Sequence, residues 1–588
     1  MKERKSIHKR LKLTPAVQGE CTRQNETLVG EWLCTSRETA NKKSHVHEIL
    51  PYHWNDREKL KRDVDKIKTY VDLVLEILPG QINSFLGKKY QDEYFRMIIC
   101  EWVYLFCQIA YDRWSTIQLA NESLGDYQFS QEPKGINSIP RTTLDFQRMA
   151  SNSHHWNANF FCEIKAASLK QNQQLERCLR QIETENVSED HENTKGSTIN
   201  KKIKKLVNRL QNKNPQVILT KSYLSKWNLL YIFIMIRKFK FIENENQYQS
   251  SNPPRSINFE FKLPARENDE FVSILEKIMP LYLPSLYLEE ITMLELSSQK
   301  KYGEKSPRLL ITANSHFGDE EWKIVAAKTK ANHGKIIILQ HGGNYGVVSF
   351  SLIQDYEFSI CDYFLTWGWT LPNDKRAVIA PATKLIKRVR RKKSKYLLFV
   401  TGENSLYSSW LTSMPIGPQI IPTLNSSLKF LSLLSDESMS DVRIRPYHLN
   451  YGLDQKRVFS EKFGKSRVSE TNISFLKELS KAKLVVCNHL STTFIECLSN
   501  NIPTVIYINE REWETNPQYQ YLFDSLISVG ILHYSNEDCA NFINQKYECI
   551  EDWWASDRVQ DVRRLTVDKI GFTGNNPIGE LCKIISSF

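Results

Sequence analysis

Apolar residues fall into two textures along this chain. Between Asp56 and Leu119 they recur at helical spacing, as in Val64, Ile67, Tyr70, Val71, Val74, Leu75, Ile77 and Leu78, with Pro79-Gly80 and Gly87 as the breaks. That period predicts long amphipathic helices. From residue 308 the texture changes to short apolar runs separated by helix-period segments: RLLITANSH, DEEWKIVAAKTKANHGK, IIILQHGGNYG and CDYFLTWGW. After the basic run KLIKRVRRKKSK (384–395) the same grammar returns in KYLLFVTG, a helical stretch at 427–435, DVRIRPYH, another at 473–482, then KLVVCNH, STTFIECLSNN and PTVIYIN. Unbroken apolar strands alternating with helices predict parallel sheets covered on both faces. The expected fold class is α/β, with two Rossmann-like domains facing each other across a cleft. The first occupies 1–390 and carries a helix-rich insertion at about 56–216; the second occupies 391–588. Within the insertion, residues 171–216 are polar and charge-dense and read as a connection.

Composition narrows the choice of function. A chain of 588 residues is about four times the ~150 residues of a typical domain, which excludes a single small binding module. The 41% hydrophobic and 25% charged residues describe a soluble globular protein rather than a disordered or fibrous one. A formal charge of +12 suits anionic small molecules, membrane surfaces and nucleic acids alike. Nucleic acid is not expected, because the aromatic residues form no repeated stacking platform. The twelve cysteines include no C-x-x-C pair, which argues against a zinc ribbon or dithiol and for a reducing compartment. The basic N-terminus is followed by no apolar core of a secretory signal. The longest apolar run, Leu229 to Ile236, is far short of the roughly 20 residues of a membrane-spanning helix. Followed by Arg237, Lys238 and Lys240, it reads first as a buried helix and second as a peripheral membrane contact.

Ligands of open parallel sheets bind beyond the carboxyl ends of the strands, so the loops after Ile311, Leu339, Ile444 and Cys487 are the places to look for chemistry. The first holds His316, with Ser315 or Asp319 able to cap the next helix. The second, Gln340-His341-Gly342-Gly343-Asn344-Tyr345-Gly346, has three glycines that let backbone approach a ligand closely. It is neither G-x-G-x-x-G nor a Walker A loop. The third presents Arg445 and His448, with Arg445 placed either for bidentate phosphate recognition or for a surface ion pair. The fourth runs from His489 through Ser491, Thr492 and Thr493 into a helix whose first turn would hold an anion, with Glu496 one turn further in. Asp63-Val64-Asp65 reads as a solvated helix face, and His45, His47 and His53 lack a zinc-type ligand set. No metal or other cofactor is expected.

Several longer motifs carry a resemblance: Leu28 to Cys34, Pro51 to Arg57, Tyr94 to Trp114 with Trp102 and Tyr111-Asp112-Arg113-Trp114, Trp156-Asn157, His316 with Trp322-Lys323, the Gln340–Gly346 loop, Tyr363 to Trp369 ending in Thr366-Trp367-Gly368-Trp369, Arg445 with Tyr451-Gly452, and Ser491-Thr492-Thr493 with Glu496. Over nearly its whole length the chain resembles a family of transferases linked to O-antigen and other surface-carbohydrate gene clusters, and more distantly the GT-B glycosyltransferases. The resemblance implies a metal-independent enzyme with a nucleotide-sugar donor held mainly by the C-terminal half and a glycan or lipid-linked glycan acceptor met by the N-terminal half. Gly342, Gly343, Asn344, His448, Ser491, Thr492, Thr493 and Glu496 become donor-binding candidates. Glu31 or His341 becomes the general base, Arg445 stabilises the leaving phosphate, and His316, Tyr345 and His489 are further cleft candidates. A cytoplasmic protein, with peripheral contact at the inner membrane as a further option, would fit. The competing expectations are a CDP-linked polyol-phosphate transferase and a non-catalytic scaffold in a polysaccharide-assembly complex.

Overall fold

The helical periodicity after Asp56 becomes two long helices, α1 (Arg57–Phe85) and α2 (Asp92–Leu124). The Asp56 carboxylate opens α1 by accepting the Lys59 N–H. Nearly every side chain of α2 from Tyr94 to Arg113 is buried, so this helix lies inside the molecule rather than on its surface. A computed structural model describes residues 9–13, 26–34, 48–130, 139–168, 215–242, 248, 259–264, 269–470 and 473–588. Most of the charge-dense connection expected at 171–216, along with His45 and His47, lies outside the described residues.

Among the described residues, three parallel sheets organise the rest. A small one joins β1 (Lys9–Lys12), β2 (Glu26–Leu28), β3 (Glu48–Ile49) and β4 (Tyr127–Phe129) in the order β3-β2-β1-β4. The second contains β5 (Val217–Thr220), β6 (Phe239–Ile242), β7 (Leu309–Thr312), β8 (Lys335–Leu339), β9 (Tyr363–Thr366) and β10 (Ala377–Ile379), ordered β10-β9-β8-β7-β5-β6. The third contains β11 (Tyr396–Val400), β12 (Val442–Arg445), β13 (Ala482–Cys487), β14 (Thr504–Tyr507) and β15 (Leu532–His533), ordered β12-β11-β13-β14-β15. The helices that matter below are α3 (Lys226–Met235), α4 (Glu320–Ala331), α5 (Leu352–Ile360), α6 (Phe475–Leu479), α7 (Thr492–Ser499) and α8 (Pro577–Ser587). The expected α/β class with two Rossmann-like sheets is therefore present. The chain order reverses between β5 and β7 in one sheet and between β11 and β13 in the other, and such switch points open crevices at the carboxyl ends. The last helix, α8, returns to the N-terminal sheet: Leu581, Cys582 and Ile585 share a core with Val217, Leu219 and Ile232.

The helical region also ties the two halves together. Asp112 on α2 accepts the Tyr52 hydroxyl at 2.9 Å, lies 3.1 Å from His53 Nε2 and pairs with Arg113. Arg113 donates in turn to the Ser408 carbonyl at 3.0 Å, and Gln108 Oε1 accepts the Leu411 N–H at 2.7 Å. Arg57 reaches Glu514 at 2.7 Å and Gln419 at 2.9 Å. Burial pushes the Asp112 carboxyl up, but Arg113, His53 and Tyr52 outweigh it and hold the group below its ordinary range. The motifs 51–57 and 111–114 thus build a buried polar strut.

Two stretches fold against their sequence patterns. Asp63 is not on a solvated face: it is buried and accepts from Trp54 Nε1 at 2.9 Å and the Tyr111 hydroxyl at 3.1 Å, while Asp65 is exposed. The apolar run 229–236 is not a buried helix either, since Ile232 is the one buried residue of α3.

Candidate active site

The carboxyl ends of the N-terminal sheet present a histidine backed by a buried carboxylate. After β7, Thr312 Oγ1 accepts the N–H groups of Asn314 (3.1 Å) and Ser315 (2.8 Å), turning the chain inward so that His316 is fully buried. Asp319 caps α4 by accepting the Trp322 N–H. After β8, Gln340 fixes the glycine loop: its Oε1 accepts from the Trp367 N–H (2.8 Å) and Trp369 Nε1 (2.7 Å), and its Nε2 donates to the Gly342 carbonyl (2.7 Å). This explains why Thr366-Trp367-Gly368-Trp369 accompanies the loop. Gly346 has φ +74°, and a Cβ there would lie 2.2 Å from the Trp369 ring.

Glu357, fully buried on α5, lies beneath this loop. Its Oε1 is 2.7 Å from His316 Nε2 and 3.5 Å from His341 Nδ1. The Tyr345 hydroxyl is 3.3 Å from His341 Nδ1. Burial alone would raise the Glu357 carboxyl, but the two imidazoles outweigh it and keep the group an anion. Burial also holds His316 below its usual range in spite of Glu357. His316 is therefore a neutral donor to the carboxylate, and His341, with a side chain 23% exposed, is the member of the set open to the cleft. His316, His341 and Glu357 offer three ligand atoms within 4.8 Å of one another, so the same group could hold a metal ion.

The C-terminal half meets this loop directly. Thr492 Oγ1, at the start of α7, accepts the Gly343 N–H at 3.0 Å. Ser491 precedes α7 without a side-chain capping bond, leaving its hydroxyl available to a ligand. One turn inside, burial raises the Glu496 carboxyl although Lys384 and Lys387 oppose it. Lys384 extends to the His341 carbonyl at 3.4 Å and sits 5.2 Å from the centre of the Tyr223 ring. At the β11/β13 switch point the Gly402 N–H donates to Asn488 Oδ1 at 2.8 Å, and His489 Nδ1 lies 3.1 Å from the same oxygen. Burial pushes His489 down to about 4 and the neighbouring Glu403 up to about 7. Glu403 accepts the Tyr451 N–H at 2.8 Å, beside a stacked Tyr447–Tyr451 pair.

The model of the LIC12162 family transferase matches residues 10–585. The chain belongs to that family. No curated protein matches it. Among solved structures, the wall teichoic acid polymerase TagF is 8% identical, with 72% of this chain and 97% of that one covered at a TM-score of 0.34. MnaA of S. aureus with UDP is 10% identical, with 63% and 96% covered and a TM-score of 0.38. MurG of Acinetobacter baumannii is 10% identical, with 64% and 100% covered and a TM-score of 0.33.

His316 and His341 meet at Glu357, Tyr345 touches His341, and the loop at Gly343 meets Ser491 and Thr492, with Thr493 and Glu496 following along α7. Asn344 joins them with φ 73° and a buried Oδ1 that has no hydrogen-bond partner. The glycine loop approaches the backbone of α7, because a Cβ on Gly343 would lie 2.7 Å from the Ser491 carbonyl carbon and 2.8 Å from the Thr492 nitrogen. Arg445 is placed differently from the expected phosphate contact. Its guanidinium pairs with Glu478 on α6, donates to the Ile473 carbonyl at 3.0 Å and lies over the Phe475 ring, and Arg443 binds the same carboxylate at 2.9 Å. Strand alternation did put both arginines on one face, and that face is covered by α6. Glu31 is exposed in a single 3-10 turn after β2, in the small sheet. His448 is exposed beside Tyr447. Glu357, Lys384, Tyr223, Glu403 and Asn488 were missed. The switch points were the available signal for Tyr223, Glu403 and Asn488, whereas Glu357 and Lys384 reach the site from a helix and a segment that look solvated in sequence.

Proposed function

We propose that this family transferase moves a sugar from a nucleotide-sugar donor to a surface-polysaccharide acceptor of O-antigen or capsule type, a glycan or lipid-linked glycan, without a required metal. The observation that carries this reading is a carboxylate-backed histidine, His341, held against the N-terminus of α7 by the Gly343–Thr492 contact. His341 takes the proton of the acceptor hydroxyl as that oxygen bonds to the anomeric carbon and the bond from that carbon to the donor phosphate breaks. Glu357 stabilises the imidazolium that forms, as a buried carboxylate does for other histidine bases. Charge developing on the leaving phosphate meets the α7 dipole, the hydroxyls of Ser491, Thr492 and Thr493, and the Lys384 ammonium. The Tyr447–Tyr451 pair beside Glu403 offers a face to the nucleobase.

The test is a thermal-shift screen against CMP, CDP, UDP, GDP and dTDP, since a ligand bound by the native state alone raises apparent stability. A shift with UDP, GDP or dTDP, followed by nucleotide release from the matching sugar donor in the presence of EDTA, supports the reading. CDP binding with release of CMP and a phosphodiester product would reassign the chain to polyol-phosphate transfer. No shift with any nucleotide would favour the non-catalytic scaffold.

A further inference from the structure

Helix α3 is apolar on both of its faces. One face, Leu229, Ile232 and Phe233, with Ile236 just beyond the helix, packs on the N-terminal sheet and α8. The other, at i, i+4, i+7 and i+8, carries Trp227, Tyr231, Ile234 and Met235, which are 75%, 42%, 70% and 55% exposed. A helix apolar all round belongs in a core or against another apolar phase, and four large exposed side chains in one stripe mark an interaction site. From Lys221 to Lys240 the sequence contains Lys221, Lys226, Arg237, Lys238 and Lys240 and neither aspartate nor glutamate. Lys226, Arg237 and Lys238, at the two ends of the stripe, are all exposed. An apolar stripe with tryptophan and tyrosine, flanked by cations alone, matches the headgroup region of a membrane: aromatic rings favour that depth, and the cations favour anionic lipid.

We infer that α3 docks this transferase on the surface of an anionic phospholipid bilayer. The side chains enter the interface from one face and the helix lies in its plane. Among the described residues no helix is long and apolar enough to cross a membrane. The location of α3 gives the docking a purpose. It follows β5 through Lys221–Ser225, where the Tyr223 hydroxyl accepts from Asn314 Nδ2 at 2.9 Å and the Tyr223 ring faces Lys384, which reaches the His341 carbonyl. The docking helix therefore begins at the rim of the candidate active site, and a lipid-linked acceptor in the bilayer would be presented beside His341. That last step rests on the proposed transfer reaction; the docking does not.

The experiment is co-sedimentation of the full chain with vesicles of phosphatidylcholine, with and without phosphatidylglycerol. The expected result is binding at least about tenfold stronger with phosphatidylglycerol and weakened by salt. Trp227→Ser/Ile234→Ser/Met235→Ser is expected to lower that binding about tenfold or more without changing the melting temperature, since these side chains lie outside the core. Arg237→Glu/Lys238→Glu is expected to remove the preference for phosphatidylglycerol. Absence of vesicle binding by the native chain, or equal binding by the triple-serine variant, would overturn the proposal. So would a dimer that the same variant dissociates without any vesicle binding, which would assign the stripe to a second copy. Because the assay contains no donor or acceptor, its outcome is separate from that of the transfer reaction.

Discussion

Replacing Gly343 by alanine tests whether the two halves close on each other at the site. The new Cβ would sit 2.7 Å from the Ser491 carbonyl carbon, 2.8 Å from the Thr492 nitrogen and 3.0 Å from the Ser491 oxygen. All three are backbone atoms, so no side chain can rotate away. Restoring an ordinary contact near 3.4 Å requires the loop and α7 to part by about 0.7 Å, which also strains the Gly343 N–H bond to Thr492. A misplacement approaching 1 Å between catalytic groups costs on the order of a hundredfold in rate, and overpacking costs about 1–3 kcal/mol of stability. Gly342→Ala is the matched control. Its Cβ would find nothing nearer than Thr492 Oγ1 at 3.5 Å and the Tyr345 ring at 3.9 Å, so its turnover is expected to stay within a few-fold. The assay is nucleotide release from the donor identified by the binding screen, with melting temperature alongside. Equal turnover by both alanine variants and the native chain would refute the closed contact as a part of the machinery.

Other consequences follow from the same geometry. Arg113→Met leaves the buried Asp112 carboxylate without its main partner, so a loss of about 3–5 kcal/mol is expected in denaturant titration. Because the folded Asp112 is held below its ordinary range, its stabilisation is complete above about pH 4 and fades as pH falls through the lower folded value. Glu403 runs the other way: a folded carboxyl near 7 means that stability declines as pH rises from about 4.3 to 7, by up to about 3 kcal/mol. Glu403→Gln should flatten that part of the curve in melts taken from pH 5 to 8. Arg445→Ala should lower the melting temperature by loosening Glu478 while leaving turnover within a few-fold; a hundredfold loss with an unchanged melt would return Arg445 to the phosphate.

What the sequence revealed and what it concealed have physical reasons. Parallel strands buried on both faces leave continuous apolar runs, so β7, β8 and β13 and the loops behind them were legible, whereas β12 was legible from its alternation of apolar and basic residues. The four-residue strand β5, VILT, follows directly on a polar stretch and was lost with it. Three glycines pointed to a close approach by a ligand, and nothing within the loop could show that at Gly343 the surface in contact is the backbone at the start of α7. Glu357 occupies a polar position in a helical pattern, where solvent is the default partner, and tertiary packing puts it under His316 instead. Asp63 was misread in the same way, because Trp54 and Tyr111 reach it only after folding. The outer face of α3 was misread in the opposite direction, since an apolar run does not declare which of its faces the fold will cover.

Whether His341 is the base in a nucleotide-dependent transfer is decided by His341→Gln, with binding and turnover measured on the same preparation. The variant is expected to bind the nucleotide as the native chain does, to keep its melting temperature within a few degrees, and to release nucleotide from the sugar donor at least about a hundredfold more slowly. Native turnover by this variant, or a native chain that binds no nucleotide, would contradict that role.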